Sequence, residues 1–501
     1  MDQNEHKSVN NHIKYINNYI NGKFTPPSSG KYIDKINPAT NQLLAYIADS
    51  DQHDINSAVT AARTAYNEWS ELTRVQRAQL LRKVANKIRE RLDELAVLES
   101  NDTGKPIRTS RAMDIPRAAQ NFEFFIEHIE HITDEYHQSG QYESKTYHSP
   151  VGIAGLITPW NLPLYLLTWK VAPALICGNT VVCKPSEITP STAYQLAHIM
   201  DECGIPPGVF NIVNGLGQTA GQSLVEHSDV NIISFTGGTV TGRKVAATAA
   251  PLFKKLSLEL GGKNASVVFS DCDFDLAVDG VWRAAFTNQG QVCLCGSRIF
   301  IQQEIYEKFV AALVKKSKSM VSKIGDPLNP NTEFGSVTSH QHLHSKVIHY
   351  VELARADLRA QILCGGKQPQ HLQPPYDQGA FYEPTIISGL PVDHPCASDE
   401  IFGPVVTVHP FNDEAEVTKL VNLTKYGLAG TIWTNNLAAA TRLSQYWITG
   451  MIWINTWLYR DLRVPFGGVR ESGTGIEGGK YSLEFYSNTK NICIYTPKLS
   501  K

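Results

Sequence analysis

The middle of this 501-residue chain is a succession of short apolar runs separated by helix-period stretches, and that alternation limits the fold more than any other feature. The runs at 151–157, 180–183, 210–213 and 231–235 read as strands, and the stretches at 191–201, 218–227 and 240–249 read as helices. Apolar strands joined through helices are buried on both faces, so they build a doubly wound, mostly parallel sheet. A second series follows Glu259. Strands are expected at 265–269, 298–301, 405–408, 430–433 and 451–455, with helices at 275–288, 305–322, 414–422 and 437–447. Two α/β sheets in tandem fit this better than one very large sheet, and the length exceeds what a single core holds. Upstream, 54–69, 75–98 and 115–131 read as long amphipathic helices. The stretches 137–148 and 481–501 are polar and short of core residues. Their backbone edges need partners, so they are expected to pair with each other and with a neighbouring subunit.

Composition narrows the class. Hydrophobic content of 42%, charged content of 19% and a formal net charge of −2 describe an ordinary globular chain with no global attraction to nucleic acid or anionic lipid. Nine cysteines without framework spacing suit a reducing cytoplasm. The opening residues Met1 to Lys7 are polar and lack the apolar core of a secretory signal. Residues 150–183 carry one formal charge, Lys170, but Pro159, Pro163 and Pro173 interrupt any membrane-spanning helix. The segment reads as a buried strand, a proline-rich turn and a buried helix.

Three residues carry the chemistry. Cys293 sits in Asn288-Gln289-Gly290-Gln291-Val292-Cys293-Leu294-Cys295. A thiol is a useful nucleophile as thiolate, which oriented N–H donors, helix N-termini or cations favour; an isolated free cysteine more often simply packs. Cys295 makes a Cys-x-Cys pair, yet no further ligand stands at zinc spacing, so no metal is expected and Cys295 reads as packing or as a reversible partner for Cys293. Glu259 ends a short apolar run before Gly261-Gly262. Burial at a strand end disfavours its ionised form and lifts it toward the working range of a general base; the plainer reading is an exposed strand cap. Asn161, held between Pro159 and Pro163, is suited to donate a preorganised hydrogen bond to an oxyanion, although alone the motif reads as a turn. Gly215-Leu216-Gly217 and Phe235-Thr236-Gly237-Gly238-Thr239 are strand-to-helix glycine turns of the kind that place phosphate at a helix N-terminus. The first departs from the dinucleotide fingerprint by one residue. His340, His342 and His344 read as a solvated helix rather than a metal site.

The Glu259 and Cys293 segments, 34 residues apart, resemble the paired signatures of the NAD(P)-dependent aldehyde dehydrogenase superfamily, and the likeness runs from about Tyr19 to Ile494. It implies two doubly wound α/β domains: a Rossmann-type NAD-binding domain at 1–131 and 150–259, and a catalytic domain at 260–480. A small β oligomerisation extension at 132–149 and 481–501 completes the expected homodimer or homotetramer. It also implies that Cys293 is the nucleophile, Glu259 the water activator and Asn161 the oxyanion donor. NAD would be held by Ile157, Thr158, Pro159, Trp160, Gly217, Phe235, Thr236, Gly237, Gly238 and Leu260, with Lys184, Ser186 and Glu187 at the adenosine ribose and Glu400 and Phe402 at the nicotinamide end. Most members have serine where this chain has Gly238, leaving backbone donors alone for the pyrophosphate. Glu187 would repel a 2′-phosphate, which favours NAD over NADP. Pro465-Phe466-Gly467-Gly468 matches a signature near the substrate tunnel.

Within the superfamily, residues 111–117, 293–295 and 457–463 look like the 2-aminomuconic and 2-hydroxymuconic semialdehyde dehydrogenases. The substrate implied is a small unsaturated aldehyde bearing a carboxylate, which guanidinium binds in bidentate fashion. Arg117 and Arg460 are the expected clamp, Arg463 a third candidate, with Tyr459, Trp457 and Trp160 stacking on the conjugated chain and Leu294 beside the nucleophile. The other readings are a betaine or aliphatic aldehyde as substrate, acyl transfer to coenzyme A, and a non-catalytic relative that keeps the scaffold.

Overall fold

The computed structural model describes residues 14–129 and 134–497, and both expected sheets form. The first contains β1 (Ile153–Ile157), β2 (Thr180–Lys184), β3 (Phe210–Ile212), β4 (Val230–Thr236) and β5 (Lys255–Glu259). These run parallel in the order β5-β4-β1-β2-β3. Short antiparallel strands close its edges, Gly473–Thr474 outside β5 and the hairpin Asn18–Ile20/Lys23–Thr25 outside β3. Side chains divide by the two-residue period of a strand. Ala154, Leu156, Val181 and Cys183 face one core, and Ile153, Ile157 and Val182 face the other. The chain leaves β1 on one side for β2 and β3, then returns on the other for β4. That reversal opens a crevice at the carboxyl ends of β1 and β4, where open α/β sheets bind ligands.

The apolar segment around Lys170 forms β1 and then α1 (Pro163–Ile176), buried at every position. This is the expected buried strand, proline-rich turn and buried helix, with Pro163 at the start of α1 and Pro173 accommodated inside it. No described helix is long and apolar enough to cross a membrane.

The second sheet contains β6 (Asn264–Val268), β7 (Gly296–Gln302), β8 (Thr385–Ser388), β9 (Val405–Phe411), β10 (Ala429–Trp433) and β11 (Met451–Ile454), parallel in the order β8-β9-β7-β6-β10-β11. An antiparallel strand, Gln361–Cys364, lies outside β8. It and β8, at four residues each, are too short to show a period in the sequence. A third sheet pairs Tyr142–Pro150 with Tyr136–Ser139 and, residue for residue from Pro150↔Ser487 to Tyr142↔Tyr495, with Ser487–Tyr495. The two polar stretches therefore do meet. A small N-terminal sheet of Lys14–Ile16, Tyr32–Asn37 and Gln42–Ala48 had no distinct signature.

Upstream of the first sheet, two helix expectations need correction. The stretch 75–98 is two helices, Arg74–Glu90 and Leu92–Thr103, because Arg91 (φ −97°, ψ 21°) steps out of the helix; its guanidinium reaches Glu202. The third helix follows a π-turn, Ser110–Asp114, and spans Ile115–His128. The expected end at residue 131, the boundary between 131 and 132, the polar opening residues and the tail beyond 497 lie outside the described residues.

Residues 260–263 carry the chain directly from the carboxyl end of β5 to the amino end of β6. The carboxyl edge of the first sheet thus faces the amino edge of the second, where Asn264 pairs with Gly296 just after Cys293. Close packing protects this seam. Gly290 has φ +71°, and a Cβ there would lie 2.2 Å from the Gly403 carbonyl oxygen. Gly290→Ala is expected to cost about 1–3 kcal/mol from overpacking and left-handed strain together. Urea unfolding would show this as a lower midpoint at unchanged slope, and an unmoved midpoint would contradict the packing argument.

Candidate active site

The loop carrying Cys293 is bent by consecutive left-handed residues. α3 (Phe274–Phe286) ends before the expected residue 288 because Asn288 (φ 52°) and Gln289 (φ 56°) leave the helical region, followed by Gly290. Such residues cost roughly 1–2 kcal/mol each and persist only where surroundings hold them. Here the holding groups are amides. Asn288 Nδ2 donates to the carbonyls of Asn161 (3.1 Å) and Gln291 (3.3 Å), and the Thr338 N–H donates to Gln291 Oε1 at 3.0 Å. Asn264 Nδ2 donates to the carbonyls of Cys293 (2.7 Å) and Cys295 (3.1 Å), while Asn264 Oδ1 accepts from the Ala429 N–H (3.0 Å). Asn264 therefore ties the Cys293 loop to β6 and β10, a role with no signal in the sequence beyond its place after Lys263.

Cys293 lines the cavity between the sheets. Burial pushes its thiol pKa up, and the carboxylates of Glu259 and Glu400 push it further; Arg460 acts in the opposite sense. Of the groups that favour a thiolate, the surroundings of this sulfur include the Arg460 cation, but burial and the two carboxylates act against it. Cys295 is buried and donates to the Thr287 carbonyl at 3.8 Å. The described residues contain no group of histidines, cysteines and carboxylates that could hold a metal.

Glu259, at the end of β5, is 4% exposed, and its Oε1 has no hydrogen-bond partner among protein atoms. Burial raises its pKa well above the carboxylate range, Glu477 adds to the rise, and Lys170 and Arg460 oppose it. The exposed-cap reading therefore fails. Glu477 itself went unnoticed, since Gly473 to Gly479 reads as loop. It accepts from Trp169 Nε1 (2.6 Å) and Lys170 Nζ (2.8 Å). Burial alone would raise Glu477, but Lys170 and the hydrogen bonds outweigh it and hold the pKa below the usual value. Lys170, conspicuous as a lone charge in an apolar stretch, was the available clue.

Asn161 lies in the turn between β1 and α1 and is buried. Its Nδ2 donates one hydrogen to the Gln291 carbonyl at 2.9 Å, which leaves a second amide hydrogen. Its own carbonyl accepts from Lys105 Nζ at 2.9 Å.

A cavity of about 530 Å³ opens at the crevice between β1 and β4 and runs to Cys293. Of the expected cofactor residues, Pro159, Trp160, Thr236, Gly237, Gly238, Leu260, Glu400 and Phe402 line it. Ile157, Thr158, Lys184, Ser186, Glu187, Gly217 and Phe235 sit at neighbouring strand ends or turns without lining it. Gly238 caps α2 (Thr239–Ala249) with no side-chain hydrogen bond, and a Cβ at Gly238 would meet only open space. The first N–H groups of α2 are thus available to an anion such as a pyrophosphate. Glu187 pairs with Lys184 at 2.7 Å, so one of its oxygens is already engaged. Glu400 Oε1 accepts from the Gly262 N–H at 2.8 Å, and burial lifts its pKa to about 7. Phe402 is left-handed at φ 58°, with its ring 5.3 Å from Trp160. His342 is not the solvated residue expected: its Nε2 lies 2.8 Å from the Phe402 carbonyl and its ring 5.2 Å from Trp160. These donors, acceptors and ring faces fit a nicotinamide dinucleotide.

The substrate candidates separate cleanly. Arg460 Nη1 donates to Tyr165 Oη at 2.9 Å, and its guanidinium lies 4.4 Å from the Trp169 ring and 3.8 Å from that of Phe466. Arg117 sits 5.8 Å from the Tyr165 ring. Arg460 Nη2 and Arg117 Nη1 are buried without partners among protein atoms. Arg463 is not brought to this group: it is bound to Asp461 and 71% exposed. Tyr459 is 75% exposed and does not reach the site either. Their turn faces outward because Trp457, buried, pins it by donating to the Leu294 carbonyl at 3.1 Å. Leu294 is itself buried, its side chain in a small core with Trp457 and Phe466.

The aldehyde dehydrogenase family model matches residues 24–492. The chain is 44% identical to the 2-aminomuconic semialdehyde dehydrogenase of Bos taurus, covering 96% of this chain and 98% of that protein. It is 42% identical to the 2-hydroxymuconic semialdehyde dehydrogenase of Pseudomonas sp. strain CF600, over 96% of this chain and the whole of that one. An aldehyde dehydrogenase from Bacillus cereus, solved as an NAD+ complex, superposes with a TM-score of 0.92 at 36% identity, covering 96% of this chain and 97% of that chain. A thiol, a carboxylate and an amide converge at the seam of two doubly wound sheets, and with these likenesses the chain belongs to the aldehyde dehydrogenase family, oxidoreductases that act on aldehydes.

Proposed function

We propose that this enzyme oxidises a small unsaturated aldehyde bearing a carboxylate, such as 2-aminomuconic or 2-hydroxymuconic semialdehyde, to the dicarboxylic acid with NAD. The observation that carries the substrate reading is the pair of buried, unpartnered guanidinium nitrogens on Arg460 and Arg117 beside Tyr165. Buried N–H donors left without acceptors are costly, and a substrate carboxylate would supply the acceptors. The names of the two semialdehyde relatives support the same choice.

The roles then follow. NAD, held at its nicotinamide end by Trp160, Glu400 and Phe402, would supply the hydride acceptor. The Cys293 thiol proton passes to solvent as the sulfur adds to the aldehyde carbon. The second Asn161 amide hydrogen and the Cys293 backbone N–H steady the oxyanion. Loss of the aldehyde hydrogen as hydride leaves a thioester on Cys293. Glu259, whose pKa burial raises well above that of an ordinary carboxylate, takes a proton from the water that hydrolyses it. Its unpartnered Oε1 is the atom suited to that water. We assign 1–131 and 150–259 to cofactor binding and 260–480 to catalysis. The segments 132–149 and 481–501 are assigned to subunit contacts in a cytoplasmic homo-oligomer.

Cys293→Ala is expected to abolish NADH formation. Glu259→Ala should release one burst of NADH per site and then stall; steady turnover at the parent rate would remove Glu259 from its role. Because the base must be deprotonated and Glu477 raises its pKa, Glu477→Gln should move the acid limb of the pH–kcat profile to lower pH. A shift to higher pH would reverse the assignment. Arg460→Ala should cost about 1.5–3 kcal/mol in kcat/KM for the carboxylated aldehyde, roughly tenfold or more. An uncharged aldehyde should lose much less, and equal losses for both would make the arginine incidental to specificity.

A further inference from the structure

We propose that Lys105 is a positioning residue for the oxyanion donor: it holds Asn161 through the Asn161 backbone carbonyl, with Asp114 as its counter-charge. The inference rests on the reading of Asn161 given above and adds a second layer to that site.

The Lys105 and Asp114 side chains are both 0% exposed. The ammonium donates to Asp114 Oδ2 at 2.5 Å and to the Asn161 carbonyl at 2.9 Å. A fully buried ion pair is weak evidence for stability, since apolar replacements of similar volume are often neutral or better. What such a pair provides well is direction, because charge-assisted hydrogen bonds are short and strong. The Asn161 carbonyl accepts from Lys105 and also from Asn288 Nδ2 at 3.1 Å. Two donors on one carbonyl occupy both lone pairs and fix the peptide plane from which the Asn161 side chain projects.

The clamp is itself anchored. Lys105 follows Gly104, the left-handed cap (φ 75°) of Leu92–Thr103. A Cβ at Gly104 would lie 1.9 Å from Ser336 Oγ, and the Ser336 N–H donates to the Gly104 carbonyl at 3.0 Å. Close by, the Thr338 N–H binds Gln291 Oε1, and the Gln291 carbonyl accepts from Asn161 Nδ2. The bonds form a ring from Lys105 through Asn161, Gln291 and residues 336–338 back to Gly104, drawing on both sheets' sides of the seam. Asp114 closes the π-turn Ser110–Asp114, and the helix continuing from it carries Arg117. The counter-charge of the clamp and one arginine of the substrate site thus share one rigid element.

The test is a double-mutant cycle on the full-length enzyme with NAD and a semialdehyde, reading the pre-steady-state NADH burst. Lys105→Met should slow the burst roughly tenfold to a hundredfold, with KM for NAD and for the aldehyde changed by less than about twofold. In an Asn161→Ala background the same change should alter the burst by less than about twofold, because the positioned group is gone. The double replacement Lys105→Gln with Asp114→Asn, which keeps neutral donors in place, should recover part of the rate, and it carries the test if Lys105→Met fails to fold. Equal slowing with and without the Asn161 amide overturns the proposal, as does a risen KM with an unchanged burst. If Asn161→Ala alone leaves the burst unchanged, the oxyanion assignment falls, and this inference with it.

Discussion

The arrangement depends on the crossing from β5 to β6. Residues 260–263 join the carboxyl end of one sheet to the amino end of the other, so Glu259 and the Cys293 loop are placed by a continuous stretch of backbone. The Asn264 amide then binds the carbonyls on either side of Leu294. The nucleophile loop, strained by Asn288 and Gln289, has no regular structure of its own and is held by this amide and by the Asn161–Gln291 contact. The crossing is thus what brings thiol and carboxylate to one place.

Electrostatics divides the labour between two buried carboxylates. Glu477 faces Lys170 and Trp169 and stays ionised; Glu259 lacks so close a cation and is pushed toward its neutral form. Two similar groups are thereby driven apart in pKa, the pattern that assigns acid and base in many enzymes. The same carboxylates, with burial, disfavour the Cys293 thiolate.

Much of the scaffold was legible because it obeys simple periods. The buried strands of the first sheet and the helices beside them announce themselves as apolar runs and amphipathic stretches, and the thiol, carboxylate and amide stand in distinctive local settings. The groups that position them were not legible. Glu477 and Lys105 reach the site from distant parts of the chain, Asn264 and Tyr165 lie close to site segments, and the roles of all four arise from contacts such as Lys105 with Asn161, which no local pattern encodes. Arg463 and Tyr459 show the opposite failure. They sit beside Arg460 in sequence, yet the turn pinned by Trp457 sends them to solvent and only Arg460 inward. His342 was misjudged because polar composition around it suggested exposure, whereas its ring is packed on Trp160 and Phe402.

The pleat of β6 gives the crossing a fixed parity. Ala265 and Val267 face one core and Val268 another. One inserted residue ahead of Asn264 would turn each of these side chains to the wrong face. Two would restore the faces but slide the strand by about 7 Å against its neighbours. Length changes that an exposed connection such as residues 370–378 absorbs at little cost are therefore barred here in either direction, and this short linker behaves less like a loop than like a measured gauge block.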